Sequence, residues 1–249
     1  MPTVRSVWIL LLLLHAGALA VAWQAGAWAG FFTMATIHLG WMAITLSPGS
    51  TLFGRAITAF PNTEKEIILT IDDGPADDTL AMLDCLARHQ AKAVFFLIGT
   101  KAAAAPALVQ AISRGGHEIG NHTSTHPSAT FWAAGPHRLQ NEIENCSATL
   151  RAITQKEVTY FRAPAGFRNP FTAPILATLN LRYLGWTARG FDTRESDIAR
   201  IISRLLPGFK PGAVLLIHQG HPHSVALLDT LLDTLTREGW RVVLPPASS

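Results

Sequence analysis

Short apolar runs alternate with amphipathic stretches along most of the chain, beginning near Asn62. Runs with the composition of buried strands lie at Ile67–Ile71, Ala93–Ile98, Thr159–Phe161, Arg182–Leu184, Ala213–Ile217 and Arg241–Leu244. Stretches with helical spacing lie at Thr79–His89, Pro106–Arg114, Pro136–Ala152, Pro170–Leu179, Ser196–Leu205 and Ser224–Glu238. This alternation predicts a parallel sheet with crossover helices, either closed as a barrel or open and doubly wound.

A long uncharged segment precedes this pattern. The chain has no Asp, Glu, Lys or Arg between Arg5 and Arg55, whereas one membrane helix needs only about 20 residues. Two spans therefore fit better than one, and we predict them at Val7–Ala22 and Ala27–Leu46. A turn between them is indicated by Gly26, which is flanked by tryptophans of the kind found at membrane interfaces.

The predicted organisation has three parts: a membrane hairpin over residues 1–50, a linker over 51–61 and an α/β domain over 62–249. A secretory signal peptide is the competing interpretation, because Arg5, a leucine-rich core and Ala18–Ala20 follow the charged, apolar and small-residue order of such peptides. Cleavage there would leave the second apolar segment in place. A membrane anchor is therefore expected in either case.

The orientation of the hairpin follows from its flanking charges. Arg5 precedes it, and Arg55 and Lys65 follow it, so the positive-inside rule favours both ends in the cytoplasm. If only one segment spans, with Arg5 inside, the α/β domain lies outside instead. The expected location is the inner (cytoplasmic) membrane of a bacterial-type cell, with the cytoplasmic side favoured for the domain.

Composition and charge narrow the choice of partners. The chain has 249 residues, 49% of them hydrophobic, a net charge of +3 and a pI near 9.1, which suit an anionic membrane surface or substrate. No basic block with interleaved aromatics favours nucleic acid, no obligate protein partner is expected, and no glycine-rich nucleotide fingerprint follows the first strand. Cys85 and Cys146 are too few for a disulfide framework and are interpreted as buried thiols.

Two adjacent carboxylates end the first predicted strand. Asp72 and Asp73 follow the apolar run and precede Gly74 and Pro75, so their side chains are expected on opposite sides of the backbone. One carboxylate can then bind a metal while the other handles a proton. Helix capping is the alternative, but it suits Asp77–Asp78 before the next helix and leaves the doublet unexplained.

A histidine cluster follows farther along the chain. His122 and His126 share one face if the local backbone is a helical turn, and both imidazoles can then bind one cation, with Asp73 as a third ligand. Such a set serves Zn²⁺ hydrolysis and iron chemistry alike, so these residues leave the metal open. The neighbouring His117 and Glu118 are interpreted as strand-end packing and hydrogen-bonding residues.

Three further segments carry candidate chemistry. Arg162 follows a short strand and can pair with a carboxylate, while the proline-bounded loop after it can aim a backbone N–H at a developing oxyanion. Asp192 follows a later strand and either assists a neighbouring group or caps the next helix. His218 ends an apolar strand and suits a general acid near neutral pH. A metal cluster of His218 with His221 and His223 is an alternative that ranks lower.

Taken together, these segments resemble the five motifs of a known family. T-I-D-D-G-P, H-T-S-T-H, R-A-P-A-G, the segment around Asp192 and L-L-I-H occur in the order found in the NodB-homology polysaccharide deacetylases, carbohydrate esterase family 4. The resemblance covers roughly Asn62–Leu244. It implies a distorted (β/α) barrel with about seven repeats, which agrees with the predicted alternation.

The resemblance also implies roles for the core residues. Asp72 would be the general base and His218 the general acid. Asp73, His122 and His126 would hold a divalent metal, usually Zn²⁺. The resemblance thereby implies a hydrolase that removes the acyl group from an N-acylated amino sugar.

The remaining motif residues would have supporting roles, and some depart from the family pattern. Arg162 would orient Asp72, the N–H of Ala165 would help to hold the oxyanion, and Asp192 would support His218. An aromatic residue commonly stands at the position of Ala165, and Arg189 and Thr193 replace an acid and a tryptophan of the fourth motif. Because those positions line the family's substrate groove, the substrate is expected to differ from chitin or peptidoglycan.

The expected function is removal of an acetyl or formyl group from an N-acylated amino sugar in a membrane-associated glycan that is polyprenyl-phosphate-linked or lipid-linked. A cell-wall deacetylase acting on peptidoglycan or a chitin-like polymer is the first alternative. A membrane-anchored glycan-binding pseudoenzyme is the second. Gln219 replaces the acid that usually follows the catalytic histidine, so altered tuning of His218 is also expected.

Overall fold

The computed structural model describes residues 4–45, 47 and 50–246. Within them the α-helices are α1 Val4–Ala25, α2 Ala27–Thr45, α3 Thr79–Arg88, α4 Gly99–Ala104, α5 Pro106–Arg114, α6 Pro136–Thr154, α7 Thr172–Thr178, α8 Ile198–Leu205 and α9 Ser224–Arg237. The strands are β1 Glu66–Gly74, β2 Ala93–Leu97, β3 Glu118–Asn121, β4 Tyr160–Phe161, β5 Arg182–Tyr183, β6 Ala188–Arg189, β7 Val214–His218 and β8 Arg241–Val242.

The strands form one parallel sheet in the order β5-β4-β3-β2-β1-β7-β6, and β8 pairs with the start of β1. The predicted fold class, a distorted barrel of strand and helix repeats, is thereby confirmed. All six predicted strands are present, although several have shifted bounds. Sequence analysis did not predict β3, β6 or α4. The division of the chain at residues 50 and 61 stays a prediction.

The alternation of side chains along β1 explains how the sheet is buried on both faces. Ile67, Leu69 and Ile71 pack against the surrounding helices, whereas Ile68 packs in a separate cluster on the other face. Burial of both faces is typical of parallel sheets and requires the nearly continuous apolar sequence seen here. Continuing the alternation places Asp72 on the same face as Ile68.

The register of the sheet brings the motif residues to one edge. Asp72 of β1 lies opposite His218 of β7, Leu97 of β2 lies opposite Asn121 of β3, and Asn121 lies opposite Phe161 of β4. Because all these strands are parallel, the segments that follow them meet at the carboxyl edge of the sheet.

The first two helices form the predicted hairpin. α1 and α2 pack against each other, and Gly26 between them has a φ of 96°, which a residue with a side chain rarely adopts. Both helices are long and apolar enough to cross a membrane. Large apolar side chains such as Trp23 and Phe32 face outward. The predicted end of the second span, Leu46, lies outside the described residues.

Gly212 generates a prediction about the stability of the sheet. It has a φ of 73°, its N–H donates to Glu66 O, and its carbonyl accepts from Phe60 N. An added Cβ would approach Phe60 O to 1.8 Å. Gly212→Ser should therefore lower the free energy of unfolding by about 1–3 kcal/mol, measured by denaturant unfolding of the full chain.

A matched control comes from Gly135, where an added Cβ has no heavy atom within 4 Å among the described residues. Gly135 is the N-cap of α6 and has an ordinary φ of −70°, so serine fits there. Equal stability of the two variants would contradict the argument from the close approach to Phe60.

Candidate active site

A cleft of about 500 Å³ opens at the carboxyl edge of the sheet. Its lining includes Asp72, Asp73, His122, His126, Ala165 and His218. The structure therefore brings six of the eight sequence-predicted site residues to one cavity. The other two, Arg162 and Asp192, lie beneath it and contact its lining.

Arg162 is fully buried and holds Asp72 from below. Its Nη1 donates to Asp72 Oδ1 at 2.7 Å and to Thr70 Oγ1 at 2.8 Å. Its Nε and Nη2 donate to the carbonyls of Leu184 and Gly185. This arrangement fixes the position of the Asp72 carboxylate and leaves Oδ2 facing His122, whose Nε2 lies 3.7 Å away.

Asp73 and the two histidines converge in the cleft. Asp73 Oδ1 lies 3.4 Å from His122 Nε2 and 3.3 Å from His126 Nε2. The three ligand atoms lie within 4.8 Å of one another. The proposed helical turn for the histidines is wrong, because residues 122–128 form a loop in which Thr123 and His126 have left-handed backbones with φ of 70° and 54°. This loop, rather than an α-helical face, directs both rings at Asp73.

The residues fit a divalent metal. His122 Nδ1 lies 2.9 Å from Arg162 O; because a carbonyl only accepts, Nδ1 carries the proton and Nε2 presents a lone pair. Among the described residues, Asp73 Oδ1 is buried without a hydrogen bond of ordinary geometry. Two imidazole nitrogens and one carboxylate with an open position are the usual ligands of a catalytic Zn²⁺, although other divalent metals accept the same set.

Electrostatics keep these ligands in their metal-binding forms. Burial alone would raise the pKa of Asp73, but the neighbouring imidazoles of His122, His218 and His126 reverse this and lower it well below its usual range. Burial, with the nearby His122, lowers the pKa of His126 to about 4. At neutral pH the carboxylate is therefore ionised and the His126 imidazole is neutral.

His218 stands on the other side of the cleft and is held by Asp192. Asp192 Oδ1 accepts from His218 Nδ1 at 2.9 Å, and Oδ2 accepts from the backbone N–H of His218 at 2.6 Å. Burial alone lowers the pKa of His218, but the hydrogen bond and charge of Asp192, reinforced by Asp72 and Asp73, raise it overall. The alternative that Asp192 caps the next helix is wrong, since Asp197 caps α8.

Gln219, His221 and His223 follow His218 in the loop after β7. Within the described residues, the three-ligand groups do not include His218 with His221 and His223; His223 Nε2 instead lies 3.0 Å from Asp192 O. Gln219 accepts a hydrogen bond from Thr79 Oγ1 at 2.6 Å. Gln219 therefore supports the start of α3.

The cleft also contains residues that sequence reasoning missed. Phe167, Trp186, Phe191 and Arg194 line it beside Arg189. The Arg189 guanidinium lies 4.2 Å from the ring centroid of Phe191 and 5.3 Å from that of Trp186. The sequence W-T-A-R-G-F contained these residues, but their grouping around one cation depends on the turn between β6 and α8. They give the cleft an aromatic wall with a fixed positive charge.

Comparisons with known proteins agree with this geometry. The sequence profile described as polysaccharide deacetylase matches residues 60–184. The chitooligosaccharide deacetylase of Bradyrhizobium sp. (strain ANU 289) is 32% identical over 197 residues, covering 72% of this chain and 88% of the relative. The peptidoglycan-N-acetylglucosamine deacetylase of Bacillus cereus is 32% identical over 189 residues, covering 74% and 87%.

A solved structure shows the same fold. The crystal structure of the Bc1960 peptidoglycan N-acetylglucosamine deacetylase superposes with a TM-score of 0.71 at 29% identity, covering 76% of this chain and 90% of that one. The chain therefore belongs to the polysaccharide deacetylase family, the NodB-homology hydrolases of carbohydrate esterase family 4. As a member it is a metal-dependent carbohydrate N-deacylase, a hydrolase of amide bonds.

The ligand geometry predicts how metal binding depends on His126. His126→Ala should remove one of three ligands and weaken binding of Zn²⁺ at this site by about 100-fold or more. Metal content after chelator treatment and re-equilibration with Zn²⁺ would measure this. His137→Ala, an exposed histidine at the start of α6, is the control and should retain the wild-type content. Unchanged Zn²⁺ affinity in His126→Ala would remove this residue from the ligand set.

Proposed function

We propose that this chain uses Zn²⁺ or a similar divalent cation to remove an acetyl or formyl group from an amino sugar of a lipid-linked glycan. One observation carries the hydrolytic part of the proposal. The metal-ligand set shares one cleft with a carboxylate suited to take a proton, Asp72, and an imidazole suited to give one, His218. This is the arrangement that water-driven amide cleavage requires.

Each side chain has a defined part in the proposed reaction. A bound divalent cation would supply Lewis acidity, polarising the amide carbonyl and acidifying a water molecule. Asp72 Oδ2 takes the proton of the attacking water while Arg162 holds Oδ1. The N–H of Ala165 helps to hold the oxyanion. His218 donates its proton to the sugar nitrogen, because an amine leaves readily where an amide anion does not.

The contact between Asp192 and His218 predicts a change in pH dependence. Asp192 raises the pKa of His218, so Asp192→Asn should lower that pKa, and the alkaline limb of kcat/KM should move to lower pH. Asp197→Asn at the cap of α8 is the matched control. An unmoved alkaline limb in Asp192→Asn would reassign the general acid.

Replacement of the proposed acid itself, with His218→Asn, should lower kcat by about 10²- to 10⁴-fold.

The hairpin supports the membrane part of the proposal. Trp8 of α1 contacts Phe171, with ring centroids 6.1 Å apart, and Trp41 of α2 contacts Phe53 at 5.4 Å. The start of α1 is therefore joined to the α/β domain, and the end of α2 is joined to the linker, in which the Gly54 carbonyl accepts from Arg168 of the domain. With the hairpin inserted in a bilayer, these contacts would hold the domain close to the lipid head groups.

A second cavity lies beside these contacts. Its volume is about 310 Å³, and its lining combines Phe53 and other apolar residues with Arg55, Arg168 and Arg182. The guanidinium groups of Arg55 and Arg182 next to an apolar wall suit a phosphate that carries a hydrocarbon chain, whereas Arg168 donates to the backbone carbonyls of Ser50 and Gly54. Arg168 follows Phe167, which lines the catalytic cleft, so one loop separates the two cavities. This proximity supports a substrate that spans phosphate and sugar.

Lipid analysis tests the proposed substrate. Membrane lipids from cells that express the wild type should contain a species that is lighter, by an acetyl or formyl mass, than the corresponding species from cells that express His126→Ala.

Arg182→Gln should raise KM for the lipid-linked substrate and leave kcat for a soluble N-acetylated oligosaccharide unchanged, since that substrate lacks the phosphate. Arg151→Gln, at an exposed position of α6, is the control.

The names of the relatives favour one alternative, a deacetylase of peptidoglycan or of chitooligosaccharides. Modification of those polymers alone, with lipids unchanged, would contradict the lipid-linked proposal and leave the hairpin as an anchor for a cell-wall enzyme.

A reporter fused after residue 249 would establish on which side of the membrane the C-terminus lies. A cytoplasmic C-terminus agrees with the favoured orientation, whereas an external one overturns it.

A further inference from the structure

Two neighbouring helices outside the cleft present a second group of metal-binding side chains. Cys85 and His89 are four residues apart on and just after α3, and Asp229 and Asp233 are four residues apart on α9. Residues at this spacing lie on one face of a helix. Because α3 packs against α9, the two pairs face each other. They lie toward the end of α3 that leads into β2, opposite the catalytic edge of the sheet.

The ligand atoms are close together. Cys85 Sγ lies 3.4 Å from Asp229 Oδ1, and His89 Nε2 lies 3.0 Å from the same oxygen. The sulfur, nitrogen and oxygen atoms lie within 4.8 Å of one another. Asp233 Oδ1 is 4.0 Å from His89 Nε2. A tetrahedral zinc site with bonds of about 2.0–2.3 Å separates its ligand atoms by about 3.3–3.6 Å, so small side-chain rotations suffice.

We propose that Cys85, His89, Asp229 and Asp233 bind one Zn²⁺, at a structural site separate from the catalytic centre. Thiolate, imidazole and carboxylate are all established zinc ligands, and four of them close the coordination shell. Binding releases the Cys85 thiol proton to solvent and moves the imidazole proton from Nε2 to Nδ1, so that Sγ and Nε2 each present a lone pair.

The exposure of the four residues suits a metal that enters from solvent. Cys85 is buried, while the side chains of His89, Asp229 and Asp233 are 16%, 40% and 66% exposed. The Cys85 thiol therefore lies at the buried end of the cluster, and the Asp229 and Asp233 carboxylates lie at its solvent-exposed end. Burial and the nearby Asp229 raise the pKa of Cys85 to about 12, so a cation that binds Sγ at neutral pH has to displace the thiol proton.

One neighbouring residue gives the proposal a distinctive consequence. Arg88 Nη2 donates to Asp229 Oδ1 at 3.1 Å, so three donors converge on that single oxygen. Bound Zn²⁺ would take the place of these hydrogen-bond donors at Asp229 Oδ1. Arg88 therefore competes with the cation, and Arg88→Gln should tighten metal binding. A group that served only as a hydrogen-bonded contact would merely lose stability on the same change.

The site would cross-link the first and last helices of the α/β domain. α3 follows β1 and α9 precedes β8, both near the centre of the sheet. A structural metal at this contact stabilises the folded state by binding it in preference to the unfolded chain. Addition of Zn²⁺ should accordingly raise the Tm of protein whose catalytic metal site has been removed.

Cobalt substitution tests the proposal in the full-length chain in detergent. His126→Ala protein, stripped with a chelator and titrated with Co²⁺, should develop a near-ultraviolet sulfur-to-cobalt charge-transfer band and the intense visible bands of tetrahedral Co²⁺. Cys85→Ala in this background should abolish the charge-transfer band, whereas Cys146→Ala, the other buried thiol, should keep it. This readout requires neither the catalytic metal nor substrate, so it is independent of the proposed function.

Milder variants keep the test decisive if Cys85→Ala does not fold. Asp233→Asn, at an exposed position, should weaken Co²⁺ binding by about tenfold or more, and Asp84→Asn, an exposed control on α3, should leave it unchanged. The absence of a sulfur-to-cobalt band at saturating Co²⁺, or its survival in folded Cys85→Ala protein, would overturn the proposal. A lower affinity in Arg88→Gln would also count against it.

Discussion

The cleft depends on a buried guanidinium. Arg162 is fully enclosed, and a charge in that position is tolerable only when it is paired and its donors are satisfied. The carbonyls of Leu184 and Gly185, the hydroxyl of Thr70 and the carboxylate of Asp72 meet this demand. The cation thereby ties β1 to β4 and to the turn after β5. Its own carbonyl accepts from His122, so the same residue orients the proposed base and one metal ligand.

Asp72 and Asp73 contact different partners because of the backbone conformation at the end of β1. Regular alternation already separates two consecutive strand residues, and here the register between β1 and β2 also shifts after Ile71, while Asp73 takes a left-handed φ of 72°. Asp72 consequently stays in the sheet against Arg162, whereas Asp73 turns toward His122 and His126. Two identical side chains thus acquire different partners, one a fixed cation and the other a pair of imidazole nitrogens.

The sequence was informative where chemistry lies next to a regular element. Asp72, Asp73 and His218 directly end apolar strands, so the pattern identified them as strand-end residues, and the period of two separated the two carboxylates. β3 was missed because its four residues, E-I-G-N, contain a single large apolar side chain and gain their stability from β2 and β4. The left-handed backbone at His126 and the grouping of Arg189 with Trp186 and Phe191 arise from tertiary packing, which local propensity does not record.

Arg189 gives the cleft a positive charge that bears on the proposed substrate. Its guanidinium lies against Phe191 and Trp186, so less rotameric freedom is lost when it meets an anion. An uncharged chitin-like polymer gains little from such a cation, whereas a phosphate near the scissile amide gains a charge-assisted hydrogen bond. The arginines of the second cavity extend the same preference toward the hairpin. The positive charge of the cleft and the position of the hairpin therefore support the same proposed substrate, an anionic amino sugar presented at a membrane surface.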